Sequence, residues 1–463
     1  MPLEAAAATP ATLSEVGHDD LGARGLNSGL ALMDHCAYVG SRGQGAIEIV
    51  DVSDPAHPTT AGSLPGRSVT TARELRALPS KKLLIVLSYA LAGGAANRMD
   101  LYQWTDDCAK PSAVGGYSFG ARPPHEFYLW QDPGGSRTLL FVTMFHGGAG
   151  DLQVLDVTDP STPRLAGTWA SPVGELHSIS LSADGRTAYL SLWTGGLLIG
   201  DVSQFTSGAA NPQLTLLTPV VARLPALAGG NVHSAVQVPG RDLLVVTDER
   251  YPPACPYGPA RLVDISNPAA PRAVSTMAAP ENDPTTCRNS PEGTYTSHNP
   301  TLTADLALIS WYSSGLQVFD VSDPANPQRL VEFRAQASQP GSRDPQLGAT
   351  LTMTWSYPIV RDGLIYVADI DEGLYILRYS GPHQDEVDQL AFSEGNSNLT
   401  AVRAQPAPSP SPSTSLPRPT ATPLRPAPAA AVNPAVVAGG GLLVLALLVV
   451  VGLLGWRRPG GAR

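Results

Sequence analysis

The chain has 463 residues, enough to bury one large core or two ordinary ones. Gly (45) and Pro (44) make almost a fifth of it and charged residues only 15%, a composition poor for long soluble helices and suited to short strands joined by tight turns. The net charge of −10 argues against a nucleic-acid partner, because no basic surplus exists to displace counterions from phosphate.

From Leu21 to Gly381 the chain repeats itself in seven units of about 45–65 residues. Each unit contains an apolar strand: CAYVGS, LLIVLS, LLFVTM, AYLSLW, LLVVTD, ALISWY and LIYVAD, beginning at Cys36, Leu83, Leu139, Ala188, Leu243, Ala307 and Leu364. A second recurring element follows it: AIEIVDVSDPAHP (46–58), LYQW (101–104), LQVLDVTDPSTP (152–163), LLIGDVSQF (197–205), ARLVDISNPAAP (260–271), LQVFDVSDPANP (316–327) and LYILRYSG (374–381). The Asp–Pro or Asn–Pro of the fuller copies stops the strand. The acidic or amide side chain accepts bonds from the downstream backbone, and proline fixes φ and withholds a donor. A further strand follows, as in TTAGSL and RLAGTW. Short strands at this spacing predict an all-β fold, a seven-bladed β-propeller over residues 11–382. The seventh unit stops before its last strand, while ATLSEVG (11–17) has a matching pattern. The expectation is that residues 11–17 complete blade seven and leave no open edge.

Alignment on the apolar strand exposes an innermost strand in nearly fixed phase: LNSGLAL, ARELRAL, PHEFYLW, LHSISLS, VHSAVQV, SHNPTLT and TWSYPIV. Its second position gives Asn27, Arg73, His125, His177, His233, His298 and Trp355, and its third Ser28, Glu74, Glu126, Ser178, Ser234, Asn299 and Ser356. Innermost strands line a propeller's channel, so these side chains are expected to converge near the axis. In one reading His125, His177, His233 and His298 bind Cu, Zn or Fe in the channel mouth, with Glu126 or Glu74 as a carboxylate ligand. In the other, each imidazole bridges adjacent blades through the neighbour's backbone and water fills the tunnel. Residues repeated in a repeat protein usually solve a recurring local problem, so the sequence favours the structural reading. Arg73 adds the option of clamping a carboxylate or phosphate, or of pairing with Glu126.

Four cysteines show no metal-binding spacing. Cys255 and Cys287 flank the ARLVDIS strand in long loops and are expected to pair, whereas Cys36 reads as a small buried strand residue and no pairing with Cys108 is assigned.

Residues 383–434 read as a Pro/Ser/Ala-rich linker, with an alternating Pro and Ser stretch at 408–414. From Ala435 to Trp456 runs AVVAGGGLLVLALLVVVGLLGW, a transmembrane helix by length and apolarity. Arg457 and Arg458 follow it, so the positive-inside tendency puts the 457–463 tail in the cytoplasm and the propeller outside the cell membrane. A cytoplasm-facing, tail-anchored topology would leave those arginines on the wrong side. MPLEAAAATPATLSEVG contains no export signal, so an upstream start or a missing signal is implied.

The copies AIEIVDVSDPAHP, LQVLDVTDPSTP and LQVFDVSDPANP, with SHNPTLTADLALISWYSSG, VGHDDLGARGLNSG and LIYVADIDEGLYILRYSGP, resemble the bacterial LVIVD-repeat proteins over nearly all of residues 12–382. That resemblance implies an extracytoplasmic β-propeller and no particular activity. A looser similarity to selenium-binding, methanethiol-oxidase type propellers implies copper at central histidines, carried only by His125, His177, His233 and His298. Asn27, Arg73 and Trp355 depart from that pattern. The leading expectation is a membrane-anchored binding or scaffold module for a protein, glycan or small-molecule ligand outside the cell, using the long loops at 87–100, 204–230 and 248–295. The alternative is a metal-dependent oxidoreductase or hydrolase built on the histidine ring.

Overall fold

Each repeat unit folds as one antiparallel sheet whose strands run in order from the channel outwards. The computed structural model describes residues 10–403, apart from 44–45, 68, 93–95, 146–149, 228–229, 252–253, 290–292 and 339–349. The seven inner strands are Asn27–Met33, Glu74–Leu78, Pro124–Gln131, Ser178–Leu181, Asn231–Gln237, Pro300–Leu302 and Ile359–Arg361. The second strands are buried on both faces, as in Leu83–Ser88 and Thr138–Met144, because each sheet is packed between two others. Their unbroken apolar runs follow from that position. The outer strands are largely exposed, as in Thr59–Leu64.

The Asp-x-Ser-Asp-Pro element makes two side-chain turns in tandem. The Oδ1 of Asp51, Asp156, Asp264 and Asp320 accepts from the backbone N–H two residues on, at 2.8–2.9 Å. The next Asp or Asn repeats this: Asp54 to Ala56, Asp159 to Ser161, Asn267 to Ala269 and Asp323 to Ala325. A bulge recurs where the third strand meets the fourth, at Ile49/Val50, Val154/Leu155, Leu262/Val263 and Val318/Phe319, and bends the outer strand.

The ring closes through the N-terminal segment. Thr12–Asp19 pairs antiparallel with Gly373–Ser380, from Thr12↔Ser380 to Asp19↔Leu374, as the outermost strand of blade seven. It takes the place that outer strands hold elsewhere, against the proline turn of the next blade. A Cβ on Gly17 would meet the Pro55 carbonyl oxygen at 2.1 Å, and one on Gly115 in blade two would meet that of Pro160 at 2.0 Å.

Past Pro382, where a linker was expected to begin, the chain stays folded. Gln384–Gln389 is a short helix, and Leu390–Glu394 pairs with the channel-side edge of Ile359–Arg361. Thr400–Val402 adds a further strand. Between them the chain crosses to blade three: Leu129 N–H donates to the Asn396 carbonyl at 3.0 Å, and the Asn398 side chain bonds both the N–H and the carbonyl of Gln131. Unsatisfied backbone on two inner strands explains why this polar stretch is held. The histidines lie at the starts of the inner strands and this plug lies at their ends, so it closes the opposite end of the channel. The expected stalk beyond residue 403, the helix 435–456 and the tail 457–463 lie outside the described residues. Among the described residues no helix is long and apolar enough to cross a membrane.

The four cysteines form two disulfides. Cys255–Cys287 joins the two long loops of unit five, and Cys36–Cys108 staples blade one to blade two, a pairing not assigned from sequence. Cys36 and Cys108 meet because the facing sides of the two sheets share one core with Tyr38 and Trp104, and the Tyr38 hydroxyl donates to the Cys108 carbonyl at 2.8 Å.

Candidate functional site

Successive ring members touch. Ring centroids are 4.2 Å apart for His125–His177, 4.3 Å for His177–His233, 4.0 Å for His233–His298 and 5.2 Å for His298–Trp355. Arg73 closes the circle, with its guanidinium carbon 4.7 Å from the Trp355 centroid and Nη2 3.4 Å from His125 Nε2. Asn27 is the exception. Its amide is spent on the seam between blades, receiving from Arg24 Nε and donating to the Asp369 carbonyl, and it does not line the cavity.

Above the ring opens a cavity of about 540 Å³, lined by the other six ring residues with Arg42, Tyr89, Phe145, Trp193, Glu249 and Tyr312 among others. Below it the channel is filled. Arg76 pairs with Glu74 at 3.1 Å and lies over Phe127 and Tyr357, while Ser234 and Asn299 bond each other. Glu126 sits in this lower layer rather than in the cavity wall.

The imidazoles do not share one bonding pattern. His298 Nδ1 faces the Trp355 carbonyl of the next blade at 2.8 Å, as an inter-blade bridge requires. His233 Nδ1 faces Ser234 Oγ at 2.7 Å, but its Nε2, fully buried, has no hydrogen-bond partner and stands 3.7 Å from both Glu126 Oε1 and Glu249 Oε2. His125 Nε2 and His177 Nε2 face each other at 2.8 Å. Burial holds all four below the usual histidine range, His177 at about 3, and the Arg73 charge adds to this at each ring. Burial also raises Glu249 to about 7 and Glu126, with Glu74 nearby, to about 8.

Three overlapping groups of donor atoms lie within 4.8 Å of one another: His125, Glu126 and His177; Glu126, His233 and His298; His177, His233 and Glu249. The last group lies wholly in the cavity wall. Neutral imidazoles with a carboxylate are hard-to-borderline donors suited to zinc or iron.

Glu249, Tyr312 and Trp193 escaped the sequence reading. All three sit at the ends of second strands, which antiparallel pairing returns to the mouth where the inner strands begin, as Asn231↔Glu249 shows. Trp193 and Tyr312 hold equivalent places after Ser191 and Ser310, both with positive φ (43° and 38°), a conformation bulky residues rarely adopt. Neighbouring blades hold them there: Val232 N–H donates to the Trp193 carbonyl and Thr354 N–H to that of Tyr312. Trp193 stacks on His177 at 4.6 Å, and the Tyr312 hydroxyl donates to Glu249. The aromatic ends of AYLSLW and ALISWY were the available signal.

A second group, Asp305, His383 and Glu386, is half-buried beside the C-terminal helix. Glu386 is already engaged by Thr303 Oγ1 and Asp305 N–H, and His383 by Asp320 at 3.2 Å, so these residues fasten the helix to blade six.

The LVIVD repeat family model matches residues 25–65, 147–170 and 261–278. No curated protein matches the chain. Among solved structures, the periplasmic gluconolactonase PpgL of Pseudomonas aeruginosa superposes with a TM-score of 0.53 at 14% identity, over 78% of this chain and 95% of that one. A protein from Lactobacillus plantarum gives 0.48 at 12% identity, over 66% and 85%. At such identities the likeness to PpgL shows the fold alone. The matched repeats fall within seven radial sheets, so this chain is a seven-bladed β-propeller that carries LVIVD repeats.

Proposed function

We propose that the channel mouth is a small-molecule binding site built around a transition-metal ion, held by His177, His233 and Glu249 and open to the cavity on its remaining side. The observation that carries this reading is His233 Nε2: a buried ring nitrogen without a hydrogen-bond partner, 3.7 Å from each of two carboxylates. An unpaired buried polar atom costs roughly 1–3 kcal/mol, and a shared cation removes that cost. The carboxylate in the set favours zinc or iron over copper. When bound, such an ion supplies a Lewis acid facing the cavity. His298, bonded to the Trp355 carbonyl, acts as a blade seam instead.

Metal analysis of the purified chain, before and after exposure to zinc and iron(II), tests this. About one ion per chain, lost when His177 and His233 are both changed to alanine in a protein that still melts cooperatively, supports the centre. A wild-type chain that takes up neither ion leaves the histidines as blade seams and overturns it.

In this reading the propeller is displayed outside the cell membrane by the apolar run 435–456, with Arg457 and Arg458 on the cytoplasmic side. External protease that removes the propeller from intact cells supports this topology; protection until lysis contradicts it.

A further inference from the structure

Arg73 is 7% exposed, and that exposure faces the cavity. A guanidinium so placed is ordinarily met by a carboxylate, as Arg261 is met by Asp248 at 3.0 Å and Arg76 by Glu74. No carboxylate among the described residues comes within salt-bridge distance of Arg73. Its neighbours are the Trp355 face at 4.7 Å, the Tyr89 face at 5.9 Å and a long contact to His125, and its Nε has no partner. Aromatic faces attract a cation without neutralising it. Arg42 adds a second guanidinium beside the same indole, 5.3 Å from its centroid. One wall of the cavity therefore presents positive charge, buried at Arg73 and half-buried at Arg42, beside aromatic rings.

We propose that Arg73 is the anchor for the carboxylate group of a small organic acid whose flat or apolar body lies along Tyr89, the half-buried ring of the same wall. A planar fork matches a carboxylate and fixes its orientation, which an ammonium does not. The cavity, about 540 Å³, has room for a compact organic acid. The subsite shares its cavity with the proposed metal centre but does not require the metal.

Calorimetric titration of the chain as purified with benzoate, its neutral isostere benzamide and inorganic phosphate tests this. Benzoate is expected to bind and benzamide not. The Arg73→Met change weakens benzoate by about tenfold or more, Arg73→Lys weakens it by less, and treatment of the unaltered chain with a chelator leaves it within about twofold. The benzoate–benzamide contrast needs no variant, so a misfolded Arg73→Met protein leaves the test intact. Equal binding of the two, absence of benzoate binding at millimolar concentration, or phosphate binding tighter than benzoate overturns the assignment. Benzoate binding that survives Arg73→Met and vanishes on chelation places the carboxylate on the metal, overturning this inference while upholding the centre.

Discussion

The Arg73 guanidinium lies over the indole of Trp355 although their strands belong to blades two and seven. Blade one, between them, offers at the equivalent place only the short amide of Asn27, which turns into the seam towards Asp369. The ring of side chains therefore closes across a gap, and a cation meets an aromatic face where two imidazoles meet elsewhere.

This contact is expected to be worth about 0.5–2 kcal/mol. A double-mutant cycle with Arg73→Met and Trp355→Leu, read by urea unfolding, measures it. Coupling below about 0.3 kcal/mol would mean that the two groups are merely adjacent.

The disulfides differ in what they fasten. Cys36–Cys108 closes 72 residues of chain between two blades inside their shared core, and Cys255–Cys287 closes 32 residues of loop. Replacing both members of the first pair with serine is expected to cost about 4–5 kcal/mol, and of the second about 3–4 kcal/mol. Thermal melts of the two variants rank them. The reverse order would show that the long loops, not the blade seam, limit stability.

Glu394, in the plug, is buried beneath the channel, and desolvation raises its carboxyl from 4.5 to about 7 despite Arg76 nearby. The folded protein thus holds this proton more tightly than the unfolded chain. Its contribution is complete below the unfolded value and is lost as pH rises through about 7. Between about pH 5.5 and about pH 8.5 the loss is on the order of 2 kcal/mol. Glu394→Gln, which mimics the protonated form, is expected to remove that part of the pH dependence of melting. Parallel curves for the two proteins would contradict it.

Much of the architecture was legible because a propeller solves one local problem seven times. The Asp–Pro turns, the buried second strands and the spare strand ATLSEVG each carry their structural reason in their own residues. The histidine phase was legible for the same reason, since equivalent positions in radial sheets meet at one axis. What was not legible depends on contacts between units. Cys36 and Cys108 lie 72 residues apart, and nothing local tells that their sheets face each other. Glu249 belongs to a second strand and reaches the mouth only through antiparallel register. Residues 384–402 are polar and close to a Pro-rich stretch, so they read as linker; their order comes from inner-strand edges and from Leu129 and Gln131, far away in sequence.

In the proposed centre His177, His233 and Glu249 converge on one metal ion at the channel mouth. The most direct measurement is anomalous diffraction at the zinc or iron edge from crystals of the metal-loaded chain. A single peak is expected about 2.0–2.2 Å from one nitrogen of each imidazole and from a Glu249 oxygen. A peak elsewhere on the propeller, or a loaded crystal with none between these three side chains, would contradict it.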